Sequence, residues 1–542
     1  MNITAAKRGE RIIVRLGAVV SIIGPLILYW GTFTSKFGWG SDDYLTMGLA
    51  GCRPFQEVLS CFFHRGILIR YSPLPQLYSW VLVQIGGSSR AVQGAGGFVL
   101  HLAAVWALYH AAWRLSRSRV AGALTAVLWS SSTVHLHRFL SPIILCQECL
   151  MVCFLALSLK LLFSRQWKLT PLPMGLAMLT KEYAAMFPAI LTAAWLVMLA
   201  RAWEHKGRLR RTQCLSRGWI IVACWLIALL YVGLHVRYGS LRDATAANVA
   251  GLMDPTRGGG SWTGSWTKAW TAFTWDNESI LFRSFEFILW PALPGLAYPS
   301  VILRGTSPPP LIFLAAILLL IILPLDIIGF LRTRRRVIFR PETYLCIAWF
   351  VLSTMPLSVM IRDADKPYIT IPPSAAIFWF LGLTLRRLQK AAIPGRAVLF
   401  FSVIVAAYFG SLLGWYPHGI AQSHWAQGRL RWAGRLETIC AQIGDLPRSI
   451  AKPRIVFVGL RRGDADDNAL SAYVGGYGLW AFYRRPVSCL MVEKRSDLSV
   501  APDGNLKIAG RPGSLAPQNL RIMEKQGDRY TDITSGVLTV VR

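Results

Sequence analysis

Uninterrupted apolar runs of about twenty residues recur along this chain, beginning with Ile12–Phe33. A helix rises about 1.5 Å per residue, so such a run crosses the roughly 30 Å hydrocarbon core of a bilayer. Inside lipid each backbone polar group must find its partner within the segment, which leaves the helix as the form these runs can take. Runs fall at 12–33, 91–113, 120–137, 143–163, 218–236, 309–330, 342–361, 369–385 and 397–415, and 169–203 reads as a hairpin of two more. The fold class expected for residues 1–415 is therefore an all-α polytopic membrane domain of about eleven transmembrane helices.

The charge pattern sets the orientation. A formal net charge of +31 could speak for nucleic acid, but Lys and Arg sit in short clusters between the apolar runs rather than on one soluble module. That distribution is what the positive-inside rule produces, and no nucleic-acid partner is expected. Lys7, Arg8, Arg11 and Arg15 precede the first run, so the N-terminus is predicted to be cytoplasmic. The clusters at Arg114–Arg119, Arg201–Arg217, Arg332–Arg340 and Arg386–Arg396 then also fall inside. Residues 286–303, broken by Pro291, Pro294 and Pro299, read as re-entrant or interfacial, because a crossing there would place the Arg332 cluster outside. The first segment is too long for a signal-peptide core and reads as a retained anchor.

The first outer loop contains Leu74–Ile85, short and flanked by Pro73, Pro75 and Gly86-Gly87, which reads as an interfacial helix. Four tryptophans between Trp262 and Trp275 read as an aromatic belt, with sugar stacking as the alternative. Residues 416–542 differ: they are polar, turn-rich and without a spanning run. Arg454–Leu460 and Ser488–Val492 read as strands and Asn468–Tyr483 as a helix, giving a small extracytoplasmic α/β domain. Ten cysteines form no framework. Cys146, Cys149 and Cys153 read as buried small residues, and their spacing supplies no second pair for zinc. Cys52/Cys61 and Cys440/Cys489 are disulfide candidates if those segments are extracytoplasmic.

Ionisable residues inside apolar runs cost a few kcal/mol each unless they serve a cavity. Lys181-Glu182 interrupts the 169–203 hairpin at its tip, and Glu148 lies within the run 143–163. The same topology brings Asp42-Asp43, Arg70-Tyr71, His135, His137, Arg138, Arg362, Lys366 and Tyr368 to the outer interface. Taken singly, each has a structural explanation: a helix cap, a span end, a solvated turn. Together, carboxylates beside cations in a lipid-accessible cavity suit transfer of a sugar from a lipid phosphate. A carboxylate can take the acceptor hydroxyl's proton, and Lys and Arg can stabilise the departing phosphate.

The segments "RYSPL" (Arg70–Leu74), "VHLHRF" (Val134–Phe139), "LTKEYAAMFPAIL" (Leu179–Leu191) and "DKPYITIPPSAA" (Asp365–Ala376) follow the acidic pair in this order. In this the chain resembles the GT-C membrane glycosyltransferases, in particular the protein O-mannosyltransferase-like and aminoarabinose-transferase-like branch, across residues 10–415. The resemblance implies an inverting transferase with a polyprenyl-phosphate-linked sugar donor and a protein, glycan or lipid acceptor, in a membrane such as the bacterial inner membrane. It implies Asp42 as general base with Asp43 beside it, and Lys181 with the outer arginines on the phosphate. The second acidic residue is Asp where Glu is more frequent, and Lys366 stands where a related branch has Arg, which leaves the sugar and a divalent cation open. The competing reading is a transporter or flippase of a lipid-linked anion.

Overall fold

The computed structural model describes residues 3–34, 53–63, 72–87, 89–132, 135, 146–204, 212, 214–238, 331, 341–360, 371–390, 424–446, 453–460, 487–509 and 513–539, together with 466, 470, 479, 482 and 483. The helical part contains α1 (Ile3–Thr34), α2 (Phe55–Ser60), α3 (Pro73–Gly86), α4 (Arg90–Ser116), α5 (Arg119–Ser130), α6 (Cys146–Leu162), α7 (Pro171–Met178), α8 (Phe187–Glu204), α9 (Gly218–Tyr238), α10 (Pro341–Met360) and α11 (Ile371–Lys390). Apolar side chains of α1 (Leu16, Val19, Ile23, Ile27) and α9 (Trp219, Leu226, Leu229, Leu230) face outward rather than into the core. Such surfaces are stable in lipid and not in water, so the chain is a multi-pass membrane protein.

The expectation of about eleven crossings is only partly met. Among the described residues, three helices are long and apolar enough to cross a membrane: Ala91–Ser116, Ala184–Ala202 and Cys214–His235. The run 120–137 is helical only to Ser130, since Ser130, Ser131 and Ser132 favour a turn over continued helix. The first arm of the 169–203 hairpin is an eight-residue helix, α7. Runs 309–330 (including the tail of the loop after α9) and 397–415 lie outside the described residues, as do the tryptophan-rich loop and segment 286–303.

Helix α5 is the centre of the bundle, and its sequence explains why. Small residues (Ala121, Gly122, Ala123, Ala126) let three neighbours approach closely, as in lipid-embedded helix pairs generally. A Cβ at Gly382 of α11 would lie 2.9 Å from the Ala121 carbonyl oxygen, and one at Gly122 would lie 2.8 Å from that of Tyr109 on α4. A Cβ at Gly17 of α1 would sit 3.0 Å from Ala123 Cβ. Gly382→Val is therefore expected to cost about 1–3 kcal/mol by overpacking, read as a lowered unfolding temperature in detergent. Gly233→Ala, with nothing within 4 Å of the new Cβ, is the silent control.

Arginines tie the basic helix ends together. Glu342 at the start of α10 takes Arg201 of α8 on one oxygen and Arg387 of α11 on the other, the latter at 2.8 Å. Arg201 also donates to the Leu115 carbonyl of α4 at 2.8 Å, and Arg217 to that of Leu162 on α6 at 2.6 Å. These contacts place the ends of α4, α6, α8 and α11 and the start of α10 on one side, as the charge clusters predict.

The C-terminal residues build helix α12 (His424–Ile443), strands β1 (Arg454–Val458), β2 (Ser488–Val492), β3 (Leu498–Val500), β4 (Leu506–Ile508), β5 (Ser514–Leu515), β6 (Leu520–Gln526) and β7 (Arg529–Asp532), and a closing helix α13 (Thr534–Thr539). The main sheet runs β2-β1-β6-β7, with β1 parallel to both neighbours and β7 antiparallel to β6; β3-β4-β5 form a second, antiparallel sheet. Alternation along β1 sends Ile455 and Phe457 into a core with Leu436, Ile439, Cys440 and Ile443 of α12, and Val456 and Val458 into one with Leu506, Ile508 and Ile522. The strands expected at Arg454 and Ser488 are present. Most of Asn468–Tyr483 lies outside the described residues, and α12, read as turn-rich, is a helix. The Cys440/Cys489 disulfide is not made: both cysteines are buried in reduced form, on α12 and β2; Cys61 is reduced too, while Cys52 is outside the described residues.

Asp466 anchors this unit. Arg435 holds it with two nitrogens, one at 3.0 Å; Lys525 Nζ lies 3.0 Å away and the Tyr530 hydroxyl donates at 2.9 Å. Burial pushes the carboxyl up, but the hydrogen bonds from Arg435, Lys525 and Tyr530 outweigh it and hold the pKa at about 2. A depressed carboxylate stabilises the fold above its unfolded value and loses that contribution as pH falls through the folded one. The shift corresponds to about 2 kcal/mol, expected to vanish between about pH 4 and pH 2. Hydrogen exchange at the β1 amides should report that loss in the native chain and a flat profile in Asp466→Asn.

Candidate functional site

The hairpin tip is where the chain leaves regular helix. Thr180 ends α7 with its hydroxyl donating to the Ala177 carbonyl, Lys181 is extended (φ −158°, ψ 141°), and a 3₁₀ turn at Glu182–Met186 leads into α8. This break aims Lys181 into the bundle, where it is 7% exposed. Its Nζ lies 3.6 Å from Oε1 of Glu148, which is fully buried in the first turn of α6. That distance is an ion pair rather than a hydrogen bond. The positive end of the α6 dipole also favours a carboxylate there. Glu148 stands about 21 Å along α6 from Leu162, which puts the pair in the part of the bundle away from the basic ends.

A second segment meets the first here. The Leu74 amide donates to the Leu179 carbonyl at 3.3 Å, so the start of α3 is pinned two residues before Lys181. Leu74, the last residue of "RYSPL", and Leu179, the first of the "LTKEY" segment, are thus neighbours in space. One turn on, α3 buries Gln76 (1% exposed) and Ser79 (0%), whose side-chain polar atoms have no hydrogen-bond partner among the described residues. A buried carboxamide without partners costs about 1–3 kcal/mol, which a polar ligand can recover. Val83, on the same stripe, packs against the C-terminal core between α12 and the main sheet. Sequence reading missed Gln76 and Ser79; the signal was a polar pair, three apart, on one face of a largely apolar helix.

His135 is the one member of the "VHLHRF" segment among the described residues. It is fully buried, its ring packs edge-on to Trp129 with centroids 4.4 Å apart, and its Nε2 donates to the Trp129 carbonyl at 2.8 Å. Of the remaining candidates, Glu182 is described only as backbone. Asp42, Asp43, Arg70, Tyr71, His137, Arg138, Arg362, Lys366 and Tyr368 lie outside the described residues, and with them any cation held by the acidic pair.

Against known proteins, no family model matches the chain, and no curated protein does. Solved structures give similar chains. One is the archaeal oligosaccharyltransferase AglB from Archaeoglobus fulgidus, in complex with an inhibitory peptide and a dolichol-phosphate, at 11% identity over 90% of this chain with a TM-score of 0.44. This chain spans 65% of AglB's length in that match. Another is ArnT from Cupriavidus metallidurans bound to undecaprenyl phosphate, at 15% identity over 89% of this chain and 85% of that one, with a TM-score of 0.43. At these scores the likenesses assign no residue of this chain a role.

Away from the bundle, the C-terminal unit carries a cavity of about 610 Å³ beside its second sheet, lined by Ser496, Asp497, Ser499, Lys507 and Ser514 among others.

Proposed function

We propose that this chain is an integral-membrane glycosyltransferase of the GT-C type. It moves a sugar from a polyprenyl-phosphate donor to an extracytoplasmic acceptor hydroxyl, with inversion at the transferred carbon. The observation that carries the reading is the buried Lys181–Glu148 pair beside the start of α3. Intramembrane charges are rare and mark sites by default.

In this reading Asp42 removes the proton from the acceptor hydroxyl as it attacks, with Asp43 orienting it. The bond from sugar carbon to phosphate oxygen breaks, and the lipid phosphate leaves with a second negative charge. Lys181 meets that charge. An ammonium has three donors, so its pairing with Glu148 is compatible with a phosphate oxygen as a further acceptor. Glu148 directs the ammonium in an apolar setting. The cationic candidates at the outer face, Arg70, Arg138, Arg362 and Lys366, add to the phosphate field, and Tyr71, His137, Glu182 and Tyr368 are assigned to its rim. Gln76 and Ser79 supply hydrogen bonds to sugar hydroxyls. We assign the C-terminal residues 416–542 to a separate extracytoplasmic domain that selects the acceptor.

Mass spectrometry of envelope lipids and glycans, from cells with and without the chain, tests this directly. A sugar residue missing from one acceptor class is the expected result. Proteoliposomes that carry labelled lipid across the bilayer without yielding any glycoside would instead establish the flippase reading.

A further inference from the structure

Behind the Lys181–Glu148 pair lies a second cluster that the transfer reaction does not use. His101 of α4, His135 after α5 and Cys149 of α6 are all fully buried. One ring nitrogen from each histidine and the Cys149 Sγ lie within 4.8 Å of one another. The His101 and His135 rings meet edge to face, centroids 4.7 Å apart, and His101 stacks on Trp129 at 5.4 Å.

The hydrogen bonds decide what these rings can do. His101 Nε2 lies 3.0 Å from the Ser130 carbonyl oxygen, and His135 Nε2 lies 2.8 Å from that of Trp129. A carbonyl only accepts, so each Nε2 carries the hydrogen and each neutral ring presents its lone pair on Nδ1. A backbone carbonyl behind the donating nitrogen is the usual support of a metal-ligating histidine, since it fixes tautomer and orientation. The bland alternative, two core histidines packed on a tryptophan, accounts for one such bond but gives no reason for both rings to share the tautomer beside a thiol.

We infer that His101, His135 and Cys149 form a structural site for a borderline or soft transition-metal ion, Zn²⁺ or Cu⁺. Two imidazoles and a thiolate are the donors these ions prefer over Mg²⁺ or Ca²⁺. Binding exchanges the Cys149 thiol proton for the ion, so a proton is released on loading. Bonds of about 2.0 Å to nitrogen and 2.3 Å to sulfur need ligand atoms roughly 3.5 Å apart, so a small inward adjustment from within 4.8 Å suffices to load the ion. The ion then staples α4, the turn after α5 and the first turn of α6. Glu148, next to Cys149 in that turn, is thereby fixed opposite Lys181. The inference needs only the cluster's own geometry and stands apart from the proposed transfer.

The test uses the full-length chain in detergent. It is stripped with chelator, reloaded in separate arms with Zn²⁺ or with Cu⁺ under reducing conditions, and assayed by elemental analysis and X-ray absorption. One ion per chain, with one sulfur near 2.3 Å and two imidazole nitrogens, is expected in at least one arm, and the arm identifies the ion. Cys149→Ser and His101→Gln should each weaken loading at least 100-fold, while size-exclusion behaviour shows that the variants stay folded. No retained ion in either arm overturns the site, as does equal loading of the variants. If the variants fail to fold, the wild-type spectrum decides: a shell without sulfur overturns the assignment.

Discussion

Lys181→Met is expected to lower sugar transfer by about 10²–10³-fold, the usual consequence of removing one group that meets developing negative charge. It should also destabilise the chain by about 3–5 kcal/mol, because the buried Glu148 would lose its paired cation. Those two effects separate in the double variant Lys181→Met/Glu148→Gln. Removing both charges should recover most of the unfolding temperature, since a neutral buried pair costs far less than one uncompensated charge. Transfer should stay low. The measurements are thermal unfolding in nanodiscs and release of label from a lipid-linked sugar. A double variant with near wild-type transfer would reduce Lys181 to a packing partner of Glu148 and remove it from the phosphate site.

Asp42→Asn should separate function from fold in the opposite manner. A general base contributes about 10²–10⁴-fold, so transfer should fall by that factor. The unfolding temperature should not move, because the substitution keeps the side chain's shape and removes only its charge. Asp43→Asn, placed beside the base, should cost less in rate and more in apparent acceptor affinity. Transfer by Asp42→Asn within a few-fold of the native chain would move the base elsewhere.

What could be read from the residues, and what could not, follows from the range over which each signal acts. The 169–203 hairpin was legible because Lys181-Glu182 breaks a local apolar pattern. Strands β1 and β2 were legible because each is a short apolar run bounded by polar, turn-forming residues. Helix α12 went unread although Leu436, Ile439, Cys440 and Ile443 recur at helical spacing, since arginines and glycines lower its average hydrophobicity. The His101–His135–Cys149 cluster could not be found in advance: its members come from three segments, and the spacing rules for metal sites describe ligands on one local unit. Glu342 was absorbed into a span by its apolar neighbours, yet it joins two arginines from distant helices. Long-range pairing of this sort leaves no trace in a window of twenty residues.

The contacts of Glu342, Arg201, Arg387 and Arg217 all sit at one end of the bundle. Five helices are riveted there by arginines, whereas at the far end the Lys181–Glu148 pair at 3.6 Å and the Leu74–Leu179 backbone bond at 3.3 Å hold the hairpin tip to α6 and α3. A fan held at its handle opens only at the rim. A prenyl-linked donor of the kind proposed above would then enter on the side away from the arginine layer.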